Sequence, residues 1–120
     1  DRFTVSLSLG YPTEREEFMM LQKHQGQTNL EELKPCLSLE DVRELQRLVN
    51  QVKVTAILQQ YILNLVRASR HHDEIRLGIS PRGTIVLQKA AQAYAFLEHR
   101  DYVIPDDVKY LVPYVFAHRL

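Results

Sequence analysis

One strand-like segment followed only by helical patterns is the feature that most constrains how this chain can fold. Between residues 3 and 9, apolar side chains alternate strictly with Thr or Ser, as expected of a half-buried strand that ends at Gly10-Tyr11-Pro12. A single strand leaves its backbone N–H and C=O groups without partners, and nothing later in the sequence reads as a second strand. The pattern therefore predicts a sheet whose other strands lie upstream of Asp1.

Helix-start signals recur along the rest of the sequence. They are Thr13 with Glu16, Ser38 with Asp41, Thr55, Ser80-Pro81 and Pro105. The polar stretch from Gln25 to Pro35 is predicted to be a loop, and Pro113 is expected to interrupt the last helix because proline lacks a backbone donor. The predicted fold is mainly α, with residues 1–12 as the last strand of a missing αβα core plus connector and residues 13–120 as a helical bundle.

Apolar residues at helical spacing predict which faces of these helices turn toward the core. The first helix carries Phe18 and Leu21, the second has one apolar face of Val42, Leu45, Leu48, Val49 and Val52, and the last bears Val108, Leu111 and Val112. The predicted core-facing positions are Ile57, Leu58, Tyr61, Ile62, Leu65 and Val66 in the third helix and Leu87, Ala90, Ala91, Tyr94 and Leu97 in the fourth. Together these stripes predict one shared core.

Composition narrows the function classes. Fifteen Lys and Arg balance fifteen Asp and Glu, whereas a nucleic-acid binder usually carries a basic excess. No apolar run reaches the roughly 20 residues that a membrane helix needs. Cys36 is the only cysteine, which excludes an internal disulfide and suggests a cytoplasmic protein. These observations favour a protein with no nucleic-acid partner and no membrane span.

The stretch Ser80-Pro81-Arg82-Gly83 is the strongest candidate for binding chemistry. A helix N-terminus presents backbone N–H groups and the positive end of the helix dipole, which suits an anion. Arg82 adds a planar, permanently charged group that matches phosphate oxygens, and Gly83 removes a side chain that could block a ligand. The alternative from these residues alone is an ordinary Ser-Pro helix start with a solvated arginine.

Arg2 is a second candidate, because an arginine at a sheet edge can reach a phosphate held by a neighbouring subunit. The alternative is a mobile surface charge. The run from His71 to Glu74 contains metal-ligand residue types, but neighbours at a helix end point in different directions, so no metal site is predicted. The phosphate loop G-x-x-x-x-G-K and the nucleophile elbow G-x-S-x-G are both missing from the sequence, which therefore carries no complete active site.

Several stretches in order resemble the C-terminal part of MoxR-type AAA+ ATPases. They are DRF at 1–3, GYPTEREE at 10–17, LGISPRG at 77–83, AAQAYAFLEHRDYVIPDDVKYLVPYV at 90–115 and AHRL at 117–120. The likeness covers nearly the whole chain and is weakest at 25–50. One departure is His99, which stands where the family typically has the Gly of G-R-D-Y-V.

The resemblance implies a specific role for each candidate. The helices would form the lid over a nucleotide bound by the protein's own N-terminal core, which would also hold most of the contacts to ATP and Mg²⁺. Arg82 would be the sensor-2 arginine that approaches the γ-phosphate, and Arg2 matches the region of the arginine finger. The family also implies a homo-oligomeric ring of six subunits that acts on an unknown client protein. The chain alone is expected to be inactive as an ATPase.

Two other functions compete with this one. The stretch R-D-Y-V-x-P-D-D-V also resembles the end of a histone-type fold, so a stand-alone helical interaction module is one alternative. A helix-turn-helix DNA binder is the other, and the zero net charge argues against it.

Overall fold

A computed structural model describes residues 3–23 and 33–120, which form five helices. They are α1 (Glu14–Lys23), α2 (Leu39–Gln51), α3 (Ala56–Arg70), α4 (Pro81–Leu97) and α5 (Pro105–Phe116). Arg2 and most of the loop predicted from Gln25 to Pro35 lie outside the described residues. None of the helices described is long and apolar enough to cross a membrane.

The predicted helix starts are confirmed because their caps form. Ser38 and Asp41 close a capping box, with Asp41 N 3.1 Å from Ser38 Oγ and Ser38 N 2.8 Å from Asp41 Oδ2. Thr13 and Glu16 pair in the same way at the start of α1. Hydrogen bonds from the Ser38 hydroxyl and then its amide lower the pKa of the Asp41 carboxyl. Thr55 caps α3 through a hydrogen bond from Leu58 N.

Helix α4 is the centre of the bundle, since it packs against α2, α3 and α5. The fully buried side chains include Ile62 and Val66 from α3, Leu87 from α4, and Val108 and Val115 from α5. The fold class predicted from the sequence, a mainly α bundle, is confirmed. Two predicted core positions are wrong: Ile57 is 85% exposed and Leu97 is 72% exposed.

Two connections between helices pair with each other on one side of the bundle. Lys53 N donates to Asp101 O at 2.8 Å, and Val103 N donates to Lys53 O at 3.0 Å, which makes a single parallel bridge. The side chain of Gln92 in α4 donates to Val52 O at 2.8 Å. These bonds satisfy backbone groups that the two connections would otherwise bury without partners.

The expectation that Pro113 interrupts the last helix is wrong, because α5 runs unbroken to Phe116. Proline removes one backbone donor and crowds the carbonyl four residues earlier, a cost of roughly 3 kcal/mol in a helix interior. The residues that follow offset this cost, since Val115 is 0% exposed and Phe116 is 5% exposed. Their burial depends on α5 continuing beyond the proline.

The N-terminal segment has a different character from the bundle. Residues 3–9 form no strand with any other described residue, and α1 packs against none of the described helices. Phe18 and Leu21 on α1 are 58% and 70% exposed, and Leu9 is fully exposed. The predicted sheet upstream, and the division of the chain at residue 12, stay predictions.

Helix α4 ends in a turn that places a non-glycine residue in the left-handed region. His99 has φ 57°, Arg100 N donates to Ala95 O at 2.9 Å, and His99 N donates to Phe96 O at 3.0 Å. These two bonds define a Schellman motif, whose left-handed position is usually glycine. His99 therefore adopts a backbone conformation that glycine favours, at the position where the resemblance places a Gly.

We expect the substitution His99→Gly to raise the free energy of unfolding by about 0.5–1 kcal/mol. Glycine has no Cβ, so it avoids the steric cost that His99 pays in the left-handed region. Part of this gain is lost because glycine also makes the unfolded chain more flexible. His99→Ala is the matched control, because it keeps the backbone penalty and should bring no gain. Urea unfolding of the three proteins measures the difference. Equal stability of the Gly and Ala variants would contradict a strained His99.

Candidate functional site

The first turn of α4 is built as a capped, open helix N-terminus. The hydroxyl of Ser80 accepts a hydrogen bond from Gly83 N at 3.2 Å, and Pro81 occupies the first helical position. The backbone at Ser80 is extended, with φ −72° and ψ 160°, so the chain turns sharply into the helix. The predicted cap is therefore confirmed. Pro81 has no N–H, and Gly83 N and Thr84 N both donate to Ser80, so within the described residues the Arg82 N–H is the donor of this turn that faces outward along the helix axis.

Arg82 lies in this first turn with its side chain exposed. Within the parts of the chain that the structure describes, its guanidinium has no hydrogen-bond or ion-pair partner. The dipole of the 17-residue helix α4 adds partial positive charge at the same end. Arg82 and the helix start can therefore both contribute to holding an anion that arrives from outside the bundle.

The residue before the cap is fastened to the end of α3 by both of its backbone groups. Ile79 N donates to Ser69 Oγ at 3.1 Å, and Arg70 Nε donates to Ile79 O at 2.8 Å. The Ser69 hydroxyl in turn donates a hydrogen bond to Val66 O at 2.7 Å. Ile79 is 0% exposed, so its side chain adds a packed anchor. This clamp fixes where α4 begins, and hence where Arg82 lies.

Two glycines allow this close packing. A Cβ atom at Gly78 would lie 2.5 Å from Arg70 Cγ and 2.6 Å from Arg70 Cα. A Cβ atom at Gly83 would lie 2.7 Å from Ile79 Cγ2. The missing side chain of Gly83 leaves room for Ile79, and the expectation that it also leaves room for a ligand stays a prediction. A ligand contact of the Gly83 backbone stays a prediction.

A second arginine, which the sequence analysis did not single out, lies beside the first. Burial lowers the pKa of Arg119, and the neighbouring Arg82 lowers it further. Arg119 also approaches Gly83, since its Cδ lies 3.4 Å from the position of a Cβ there. Two like charges close together repel, so Arg119 adds to the positive potential at the start of α4. The only sequence signal for Arg119 is its place in the AHRL stretch.

Other candidate features lie elsewhere or lack the required groups. A shallow cavity of about 520 Å³ is lined by Leu48, Val52, Phe96 and His99, at the opposite end of α4 from Arg82. No group of three His, Cys, Asp or Glu side chains able to hold a metal occurs among residues 3–23 and 33–120. The Arg82 corner is therefore suited to an anion and offers no ligand set for a cation.

Comparisons with known proteins agree on one family. The family model described as the AAA lid domain matches residues 67–120. The chain is 46% identical over its full length to the uncharacterized protein YeaC of Bacillus subtilis, covering 38% of that protein. It is 33% identical to the chaperone MoxR1 of Mycobacterium tuberculosis, again over its full length and covering 34% of that protein.

A solved structure gives the same result for the fold. The crystal structure of a candidate ATPase from Cytophaga hutchinsonii superposes with a TM-score of 0.80 and is 30% identical, covering 98% of this chain and 38% of that one. The chain thus spans between 34% and 38% of the length of these three relatives. All three likenesses include the segment from 3 to 23 as well as the bundle.

Proposed function

We propose that this chain, which belongs to the MoxR-type AAA+ ATPases and forms their helical lid domain, presents Arg82 to the γ-phosphate of ATP. The observation that carries the proposal is the exposed guanidinium of Arg82 at a capped helix N-terminus held by α3. The residues at this corner fit a triphosphate, because the Arg82 side chain is positively charged and its backbone N–H lies at the positive end of the helix dipole. ATP supplies the phosphoryl group, and Mg²⁺ would be held mainly by the core.

The lid's own residues would act as a sensor. Arg82 would hold the γ-phosphate through charge-assisted hydrogen bonds and lose that contact when the phosphate leaves. Because Ile79 ties the start of α4 to α3, a movement of Arg82 carries the bundle with it. The lid would then swing relative to the core and pass the nucleotide state to the rest of the assembly.

The nearest partner in this proposal is the nucleotide-binding core of the same polypeptide. The segment from 3 to 23 exposes large apolar side chains that the bundle leaves uncovered: Phe3 at 78%, Leu7 at 68%, Leu9 at 100%, Tyr11 at 97%, Phe18 at 58% and Leu21 at 70%. An apolar surface of this extent on a protein marks an interaction site. A core domain packed against this segment would bury it.

The more distant partners follow from the family. Neighbouring subunits of a homo-oligomeric ring, six in the form we favour, would receive Arg2 as an arginine finger, and the ring would remodel or mature a client protein. We place this activity in the cytoplasm, where an exposed thiol such as Cys36 remains reduced. No specific observation favours the histone-like module over the lid.

Steady-state ATP turnover of the full parent protein, wild type beside Arg82→Ala, tests the proposal. We expect turnover to fall by about 100-fold, the usual effect of removing one preorganised donor from a developing charge. The melting temperature of the lid should hardly change, because an exposed first-turn arginine contributes little to stability. Arg43→Ala is the matched control, since Arg43 is also an exposed helical arginine. If both variants behave alike, Arg82 is only a helix-start residue.

A further inference from the structure

Three of the stretches that carry the family resemblance meet at one corner of the structure. They are the DRF stretch at 1–3, of which Phe3 is described, the SPRG start of α4, and the AHRL stretch that follows α5. Phe3 and Arg119 are 116 positions apart in sequence and are joined directly by a hydrogen bond. Arg119 is also the residue that approaches Gly83 of the SPRG stretch. This convergence is not required by the core, which lies among α3, α4 and α5.

Arg119 makes its contacts through backbone carbonyl groups. Its Nη1 atom donates to Thr4 O at 3.1 Å and to Val115 O, and its Nη2 atom donates to Phe3 O. The Val115 contact holds the guanidinium against the last turn of α5. The two others hold the N-terminal segment, and they do so without regard to which side chains that segment carries.

Two neighbours strengthen this contact. His118 Nε2 lies 3.1 Å from Phe3 O and 2.7 Å from Arg119 Nη1, so it donates to the carbonyl in one tautomer and accepts from the guanidinium in the other. Ser6 N donates to Tyr114 O at 2.8 Å. Residues 3–6 are therefore fastened to the end of α5 at successive points along the backbone.

We propose that Arg119 is a positioning residue that couples the segment adjoining Arg2 to the helix start that carries Arg82. The proposal rests on the proposed function, in which Arg82 serves the nucleotide of its own subunit and Arg2 serves that of a neighbour. Arg119 contacts the carbonyl of Phe3, one residue after Arg2, and packs against Gly83, one residue after Arg82. A shift of the α4 start would thus be transmitted to the segment next to Arg2.

The physical reason for an arginine here is its planar fork. A guanidinium can reach three acceptors at fixed angles, and the carbonyl oxygens that Arg119 contacts stabilise its partly buried charge. A lysine would keep the charge and could satisfy fewer of the three carbonyls in one geometry. Arg119→Lys should therefore be a partial substitute, and Arg119→Ala none.

The first test uses the full parent protein and measures both kinetics and hydrogen exchange. In Arg119→Ala we expect kcat to fall about tenfold or more, because misplacing a catalytic group by about 1 Å has effects up to 100-fold. The KM for ATP should stay within about twofold, since the lid's own phosphate contact is intact. Exchange of the Ser6 amide, which donates to Tyr114 O, should become faster once the neighbouring carbonyls lose Arg119, and Arg119→Lys should restore part of both. Unchanged exchange in Arg119→Ala would overturn the proposal.

The second test mixes subunits that carry different substitutions. An Arg119→Ala subunit keeps Arg82 for its own nucleotide, and an Arg82→Ala subunit keeps an undisturbed segment next to Arg2 for its neighbour. Rings assembled from both should regain turnover that neither variant has alone. No regain would show that Arg119 acts only within its own site, against the proposal. If Arg82→Ala alone has no effect, the proposed function fails, and the exchange measurement still decides whether Arg119 holds residues 3–6.

Discussion

Replacing Asp107 with Ala is expected to lower the free energy of unfolding of the chain by about 3 kcal/mol, the largest effect of any single side chain considered. Asp107 has only 3% of its side chain exposed and holds Arg100 through two hydrogen bonds of 2.6 and 2.8 Å. It also accepts a hydrogen bond from Ile104 N at 2.9 Å, which caps the start of α5. Removing the carboxylate leaves a guanidinium and a backbone N–H without their partner.

The size of the stability loss depends on how well water can solvate the Arg100 guanidinium once Asp107 is removed. Breaking a buried ion pair typically costs 3–5 kcal/mol, and we expect the lower end because 21% of the Arg100 side chain is exposed. In the variant, Arg100 also keeps the hydrogen bond that it donates to Tyr102 O at 3.0 Å, so its guanidinium retains one partner. Hydrogen bonding to Asp107 raises the pKa of Arg100 in the native chain, and an arginine stays charged even without such a partner, so the variant leaves a charged guanidinium.

Two further variants separate the ion pair from a general effect at the helix start. Asp106 is adjacent, but its side chain is 81% exposed, and its Oδ1 forms a surface ion pair with Lys109 Nζ at 3.7 Å. Exposed ion pairs contribute little, so Asp106→Ala should change the free energy of unfolding by less than about 0.5 kcal/mol. Asp107→Asn keeps the shape and one acceptor and should fall between the two. Urea unfolding compares all four proteins. An equal loss in Asp106→Ala and Asp107→Ala would refute the role given to the buried pair.

The helix starts could be predicted from the sequence because each depends on residues three positions apart. Ser38 with Asp41 and Thr13 with Glu16 form the bonds that their spacing predicts, whatever the rest of the chain does. Ser80 positions Arg82 by the same local rule. The sequence could therefore predict the candidate site as a helix start that carries an arginine.

The buried face of each helix was harder to predict from the sequence than its start, because burial depends on which other helices pack against that face. The buried row of α4 is Gly83, Leu87, Ala91 and Ala95, each four residues after the last, whereas the sequence pattern drifted to Leu97. A four-residue row is the ridge that packs best against a crossing neighbour, here α5. At the start of α3, Ile57 shares the apolar character of its stripe and has no neighbour that covers it.

Contacts between residues far apart in sequence are the part of the candidate site that the sequence could not predict. Arg119 meets Phe3 and Thr4 only because the fold brings the two ends of the chain together, and no local spacing encodes this. The clamp of Ile79 by Ser69 and Arg70 is similar, since Ser69 reads in the sequence as an ordinary helical serine. Both contacts involve backbone carbonyl or N–H groups, which leave no trace in residue types.

Gly78→Ala is expected to destabilise the chain by about 1–3 kcal/mol and to impair ATP turnover of the parent, although Gly78 has no contact with a nucleotide in the proposed mechanism. The new Cβ would lie 2.6 Å from Arg70 Cα and 2.5 Å from Arg70 Cγ. The backbone atom cannot move aside as a side chain can, so the connection before α4 must shift away from α3. That shift would stretch both hydrogen bonds that clamp Ile79, and Arg82 would move with the helix start.

The double variant Gly78→Ala with Arg70→Ala distinguishes crowding by the Arg70 side chain from crowding by the Arg70 backbone. Trimming Arg70 removes the contact with Cγ but leaves the contact with its Cα, so neither stability nor turnover should recover. Arg70→Ala alone supplies the baseline, because it also loses the hydrogen bond to Ile79 O. Recovery in the double variant relative to Gly78→Ala would mean that only the side chain was crowded. Turnover would then depend neither on the close approach of the two backbones nor on the Arg70 bond, which the double variant also lacks.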